Sequence, residues 1–109
     1  MAPVPPIQIF PSYTSDGTVI TIALSDLQGL TAAEANPNTG NAMEVIRAIL
    51  EKGQTQLNAL APTARPTRST LSKAVPSISP SSGVPPGTLR QIYTFSVDLT
   101  PTNLEPTPE

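Results

Sequence analysis

The sequence predicts an α+β domain: an antiparallel sheet of about four strands, one long helix packed on one face, and proline-rich extended termini. Three observations carry this. Hydrophobicity alternates with period two over residues 18–24 and again over 89–99. One stretch, 42–60, repeats its apolar residues at helical spacing. Finally, the chain holds 14 prolines in 109 residues, where average usage gives about five or six. They concentrate at both ends and in one loop. The length suits a single domain, divided here into an N-terminal arm (1–6), an α+β body (7–99) and a C-terminal arm (100–109).

The elements follow in chain order. Pro3, Pro5 and Pro6 preset an extended, hydrogen-bond-poor arm. Residues 7–24 read as a β-hairpin: Ile7, Ile9 and Phe10 open the first run, Pro11 limits it, and Asp16-Gly17 supplies the turn. In the second strand, Thr18 to Leu24, the alternation assigns Ile20, Ile22 and Leu24 to the core. Residues 25–41 form a connection. Within it, Thr31 and Glu34 have the spacing of a capping box, and Asn36 to Asn41 is turn chemistry throughout. The helix over 42–60 has Asn41 as N-cap and an apolar stripe of Met43, Ile46, Leu50, Leu57 and Leu60. Gly53 interrupts it at a cost of about 1 kcal/mol relative to Ala, which points to a kink or a close backbone approach. Pro62 ends it. A third strand spans 70–78, with Pro76 requiring an edge or a bulge. A turn-rich excursion covers 79–88, and a fourth strand covers 89–99. The helix stripe is expected to meet Ile20, Ile22, Tyr93, Phe95 and Val97.

Composition narrows the chemistry. With no His and no Cys, the commonest general base, metal ligand and thiol nucleophile are missing. Ser72-Lys73 and Ser69/Lys73 are weak as Ser–Lys dyads, because both residue types are common. Glu44 and Glu51 lie two helical turns apart with no cleft to serve. No phosphate-loop pattern is present. The reading is therefore of a non-enzymatic chain with no cofactor. Arg65, Arg68, Lys73 and Arg90 give the stretch 65–90 a local charge of +4, yet no aromatic lies inside it to stack on bases. Contacts to acidic protein surfaces are the better reading than nucleic acid. No run is long enough to span a bilayer, and the N-terminus lacks the layout of a signal peptide.

Extended segments that lose little entropy on docking point instead to protein–protein assembly. The residues assigned to partner contact are Val4, Pro5, Pro6, Leu104 and Pro106 of the arms; Val84, Pro85 and Pro86 of the loop; and Arg65, Arg68 and Lys73 for acidic patches. The runs Ile9-Phe10-Pro11-Ser12-Tyr13, Ile20-Thr21-Ile22, Leu30-Thr31-Ala32-Ala33-Glu34-Ala35, Gly40-Asn41-Ala42-Met43-Glu44 and Arg90-Gln91-Ile92-Tyr93-Thr94-Phe95 resemble small virion structural proteins of tailed bacteriophages, including those of cyanobacteria. The resemblance implies a capsid decoration (cement) protein, assembled in the host cytoplasm, homo-oligomeric, and bound to the major capsid protein or another virion protein. It assigns no residue roles. Three alternatives stay open: a tail-fibre or head–tail connector component, a cellular protein-binding module, and a small hydrolase or single-strand nucleic-acid binder.

Overall fold

In the computed structural model the described residues are 3–80, 83 and 85–106. The chain is α+β, with one long helix and small antiparallel sheets. The single sheet of about four strands is not what forms. Among the described residues there are three two-stranded sheets: β1 (Thr14–Ser15) with β2 (Ile20–Thr21), β3 (Ser69–Lys73) with β6 (Tyr93–Val97), and β4 (Ser77–Ile78) with β5 (Leu89–Arg90).

The N-terminal segment departs from an extended arm. Pro6 occupies the first turn of a four-residue helix, α1 (Pro6–Ile9), where its missing N–H costs nothing and its fixed φ suits the helix. The expected first strand is therefore helical where it begins. The Asp16-Gly17 turn is present but wider than expected. Ser15 pairs with Ile20, so four residues form the loop. The Asp16 carboxylate accepts from the N–H groups of Thr18 (2.8 Å) and Val19 (2.7 Å), and Gly17 alone in that loop has positive φ, at 89°.

The second strand ends after two residues because the chain then closes on a buried acid. Asp26 accepts from the Ser12 N–H (2.7 Å) and from the Ser12 hydroxyl, while the Ser12 oxygen accepts from the Ala23 N–H (2.8 Å). Residues Leu24–Asp26 wind into a 3-10 turn at this point. Of the three side chains assigned to the core from the strand, only Ile22 packs there; Ile20 and Leu24 are exposed.

The capping box forms as expected. The Glu34 carboxylate accepts from the Thr31 N–H (2.9 Å), and the Thr31 hydroxyl oxygen accepts from the Glu34 N–H (3.1 Å). Helix α2 runs Ala42–Ala59, with the Asn41 side chain accepting from the N–H groups of Met43 and Glu44. Gly40 brings the two pieces together: a Cβ there would overlap the Glu34 carbonyl oxygen and lie 2.6 Å from that of Asn36. Only a residue without a side chain fits.

Helix α2 turns small residues toward its neighbours. Ala48 is 1% exposed and joins Leu27 and Leu30 as the buried apolar core, with Phe10, Ile22, Ala35 and Val45 packed around it. Gly53 is buried beneath β3, with Leu71 Cδ2 3.1 Å from where its Cβ would stand. The close approach expected at Gly53 is thus made by the hairpin. The predicted stripe splits. Leu50, Leu57 and Leu60 are half-buried, whereas Met43 and Ile46 are 70% and 47% exposed. Ile20 and Phe95 are also exposed, so the expected meeting of the stripe with Ile20, Ile22, Tyr93, Phe95 and Val97 does not occur as a single core.

The last two sheets are one kinked hairpin. Lys73 pairs with Tyr93 and Ser77 with Arg90, so residues 74–76 oppose residues 91–92. One residue more on the first strand is a bulge, and Pro76, which has no N–H to offer a ladder, lies inside it. The tip closes at Pro85-Pro86-Gly87-Thr88: Thr88 donates to the Pro85 carbonyl (3.2 Å) and Gly87 has φ 82°. Proline second and positive-φ glycine third is the signature of a type II turn.

Candidate interaction surface

The residues singled out for partner contact have varied fates. Val4 is half-buried, and Pro5 and Pro6 are exposed as the N-cap and first residue of α1, which packs on α2. The N-terminal residues are therefore partly committed to the body. The described part of the C-terminal arm is not extended either. Leu99 bridges to Pro106, Thr100 N–H donates to the Glu105 carbonyl (2.8 Å), and Leu104 N–H donates back to Thr100 (2.8 Å) with Leu104 at φ 56°. This small fold-back leaves the Leu104 side chain exposed. Pro85 and Pro86 form the exposed hairpin tip. Val84, residues 1–2 and residues 107–109 lie outside the described residues.

The basic stretch does not present its cations together. Arg65 donates to the carbonyls of Leu60 (3.1 Å) and Asn58 (2.9 Å), satisfying acceptors left open at the C-terminus of α2. Lys73 pairs with Glu51 at 2.8 Å. Arg68, exposed, accepts through its carbonyl from the Asp98 N–H. Arg65 and Lys73, both assigned to acidic partners, therefore serve the fold. Their sequence spacing gives no hint of this, because the acceptors come from α2.

The contact between α2 and the hairpin is polar at its centre. Glu51 accepts from Lys73 Nζ and from the Tyr93 hydroxyl. The Lys73 hydrogen bond first, and the Tyr93 hydrogen bond second, hold the Glu51 carboxyl below its ordinary range. Burial first, and the adjacent Glu51 second, raise the Tyr93 phenol. Beside this cluster lies an open groove of about 340 Å³ between α2 and the hairpin, lined by Met43, Ile46, Arg47, Leu50, Gln91 and Tyr93. Arg47, one of its lining residues, bonds Glu44 at 2.9 Å. Along the hairpin Phe95 is 65% exposed, and Ile92, Leu89, Ile78 and Val75 are exposed as well.

The acids are mostly spent on structure. Asp16 holds the first turn, Asp26 holds Ser12, Glu34 closes the capping box, Glu44 pairs with Arg47 and Glu51 anchors the hairpin. Hydrogen bonds from the Val19 and Thr18 amides lower the Asp16 carboxyl, those from Ser12 lower Asp26, and those from Thr31 lower Glu34. Among the described residues no group of three or more His, Cys, Asp or Glu could hold a metal ion, and no helix is long and apolar enough to cross a membrane. The dominant feature is exposed apolar area. The chain presents 7746 Å² of accessible surface, whereas a close-packed monomer of its mass presents about 5,800 Å². Its radius of gyration is 16.3 Å against about 13 Å for that length.

No protein-family model matches the chain, and neither a curated protein nor a solved structure does.

Proposed function

We propose that the chain is a non-enzymatic structural subunit of a larger protein assembly, and that the assembly is the virion of a tailed bacteriophage. There it binds the capsid lattice, through the major capsid protein or another virion protein, and cements neighbouring copies. The observation behind this is the mismatch between a buried apolar core that, among the described residues, is Leu27, Leu30 and Ala48 and a total accessible area about 2,000 Å² above that of a close-packed monomer. Apolar area left in water is favourable to cover, at roughly 25 cal/mol per Å² before the costs of association. A standard interface takes only about 800 Å² from each partner. The resemblance of the sequence to small virion proteins supplies the kind of assembly. The exposed hairpin tip (Pro85, Pro86) and the exposed Leu104 turn are assigned to the lattice.

The test is sedimentation of purified chain with assembled capsids. Binding in fixed stoichiometry, with a higher temperature of particle disruption, supports cementing. Chain left wholly in the supernatant rejects it, and a few copies per particle reassign it to the tail or the head–tail connector.

A further inference from the structure

We propose that β6 is a self-association edge: two copies of the chain join antiparallel along β6, about a two-fold axis through Phe95, into one four-stranded sheet with both α2 helices on the same face. This does not rest on the capsid reading, since it concerns the chain alone.

The backbone sets the register. Asp98 N–H donates to the Arg68 carbonyl (2.8 Å) and Ala74 N–H to the Ile92 carbonyl (3.0 Å). Hydrogen-bonded and non-hydrogen-bonded pairs alternate along an antiparallel ladder. The pairs Thr70–Ser96 and Ser72–Thr94 are therefore the bonded ones. It follows that Tyr93, Phe95 and Val97 turn their N–H and C=O groups away from β3, toward the open edge. No further strand pairs there among the described residues. Centred on Phe95, a second β6 places Val97 opposite Tyr93 and Phe95 opposite itself. Outward-facing groups then meet outward-facing groups, and all five residues of the strand are used.

Side chains favour the same arrangement. Tyr-Thr-Phe-Ser-Val contains no proline and no charge, the devices that normally keep an edge from pairing. The opposite edge has Lys73 and the Pro76 bulge. Aromatic cross-strand pairs are stabilising, and Phe95, 65% exposed in the single chain, gains one at the axis. The register also brings Leu99 of the second copy opposite Gln91, at the mouth of the groove lined by Met43, Ile46 and Leu50. Because the contact is isologous, it closes at two copies. The excess area of about 2,000 Å² per chain exceeds what a dimer of standard size takes from each partner.

Sedimentation equilibrium of the full chain tests this, with a mass of twice 11.4 kDa expected. Phe95→Lys and Phe95→Glu each place like charges at the axis, so each variant alone associates at least about tenfold more weakly. An equimolar mixture of the two regains the dimer mass. Should either fold poorly, Phe95→Cys in this cysteine-free chain provides a second readout. Mild oxidation cross-links it, whereas Ile78→Cys stays monomeric on denaturing gels. A wild-type chain that remains monomeric, including one that pairs this edge only with a different protein, overturns the proposal. So does a dimer indifferent to Phe95→Lys.

Discussion

Between Phe10 and Ala48 the chain has little regular structure before α2, yet it supplies the buried apolar core of Leu27, Leu30 and Ala48; from Ser69 to Val97 it has its longest ladder, yet among the described residues none of its apolar side chains is buried, and Val75, Ile78, Leu89, Ile92 and Phe95 are exposed. The first region is held by side chains that satisfy backbone amides: Ser12 with Asp26, Asp16 at the turn, Thr31 with Glu34, Asn41 at the helix start. Asp16, Glu34 and Asn41 close turns locally, Ser12 and Asp26 tie together residues 14 apart, and together they wrap Leu27 and Leu30 against Ala48. The second region is held by its own cross-strand bonds, and it touches the helix through Leu71 over Gly53 and through Tyr93 and Lys73 on Glu51. Regular secondary structure satisfies the backbone without requiring a core. A core requires that the chain turn back on itself, and here capped turns do that.

The comparison is broken most severely at Gly40. Gly40→Ala forces a Cβ onto backbone oxygens that cannot move aside, and we expect a loss of about 3 kcal/mol or more in urea unfolding. Leu27→Ala comes next, at about 2–4 kcal/mol. The matched change in the hairpin, Ile78→Ala, removes a side chain 73% exposed and should stay within about 0.5 kcal/mol. Equal losses at the two sites would erase the distinction between the regions. Asn41→Ala, which removes the acceptor for two amides, should cost about 1 kcal/mol.

The pH dependence sharpens the contrast with smaller effects. Asp26, Asp16 and Glu34 have carboxyls depressed by hydrogen bonds in the folded state. A depressed carboxyl stabilises the fold above its unfolded value, about 4, and that contribution is lost as pH falls through the folded value. The first region is therefore expected to loosen in acid, as is the helix–hairpin contact through the likewise depressed Glu51, with Asp26→Asn flattening the share of the acid limb that belongs to the first region. Tyr93 is raised. Its contribution is fully present below the unfolded value, about 10, and is lost as pH rises through the folded one. In alkali the helix–hairpin contact should open first. Absorbance titration of the phenols in a Tyr13→Phe background follows Tyr93 alone, and Tyr93 titrating at or below the ordinary value contradicts this. The smallest effect is expected at Gly53→Ala. There a gain in helix propensity of up to about 1 kcal/mol is offset by a Cβ 3.1 Å from Leu71 Cδ2, a flexible methyl able to give way.

The core lay where the sequence reads as a connection. Leu27 and Leu30 are three residues apart, around Gln28-Gly29, and no periodicity extends far enough to mark them as buried. The apolar pair following Asp26 was the available signal. Conversely, Met43 and Ile46 satisfy helical spacing and are nevertheless exposed, because periodicity identifies an apolar face without saying whether this chain covers it. For the interaction surface, the proline-rich tip was legible from turn chemistry at Pro85-Pro86-Gly87. The duties of Arg65 and Lys73 were not, since their partners Asn58, Leu60 and Glu51 belong to another element.

By itself the sequence determined what is local: the α2 boundaries near Asn41 and Pro62, the capping box at Thr31 and Glu34, the first turn at Asp16-Gly17 and the interruption at Pro76. These depend on φ preferences and on hydrogen bonds spanning a few residues. Only the tertiary structure decided that the four expected strands form two hairpins, the second kinked, and not one sheet, that small residues form the helix's buried contacts, and that Met43 and Ile46 of α2 and Phe95 of β6 remain outside. Those outcomes depend on which surfaces meet across long stretches of chain. With so few bulky apolar side chains buried among the described residues, close approach at Ala48 and Gly53 decides which surfaces those are.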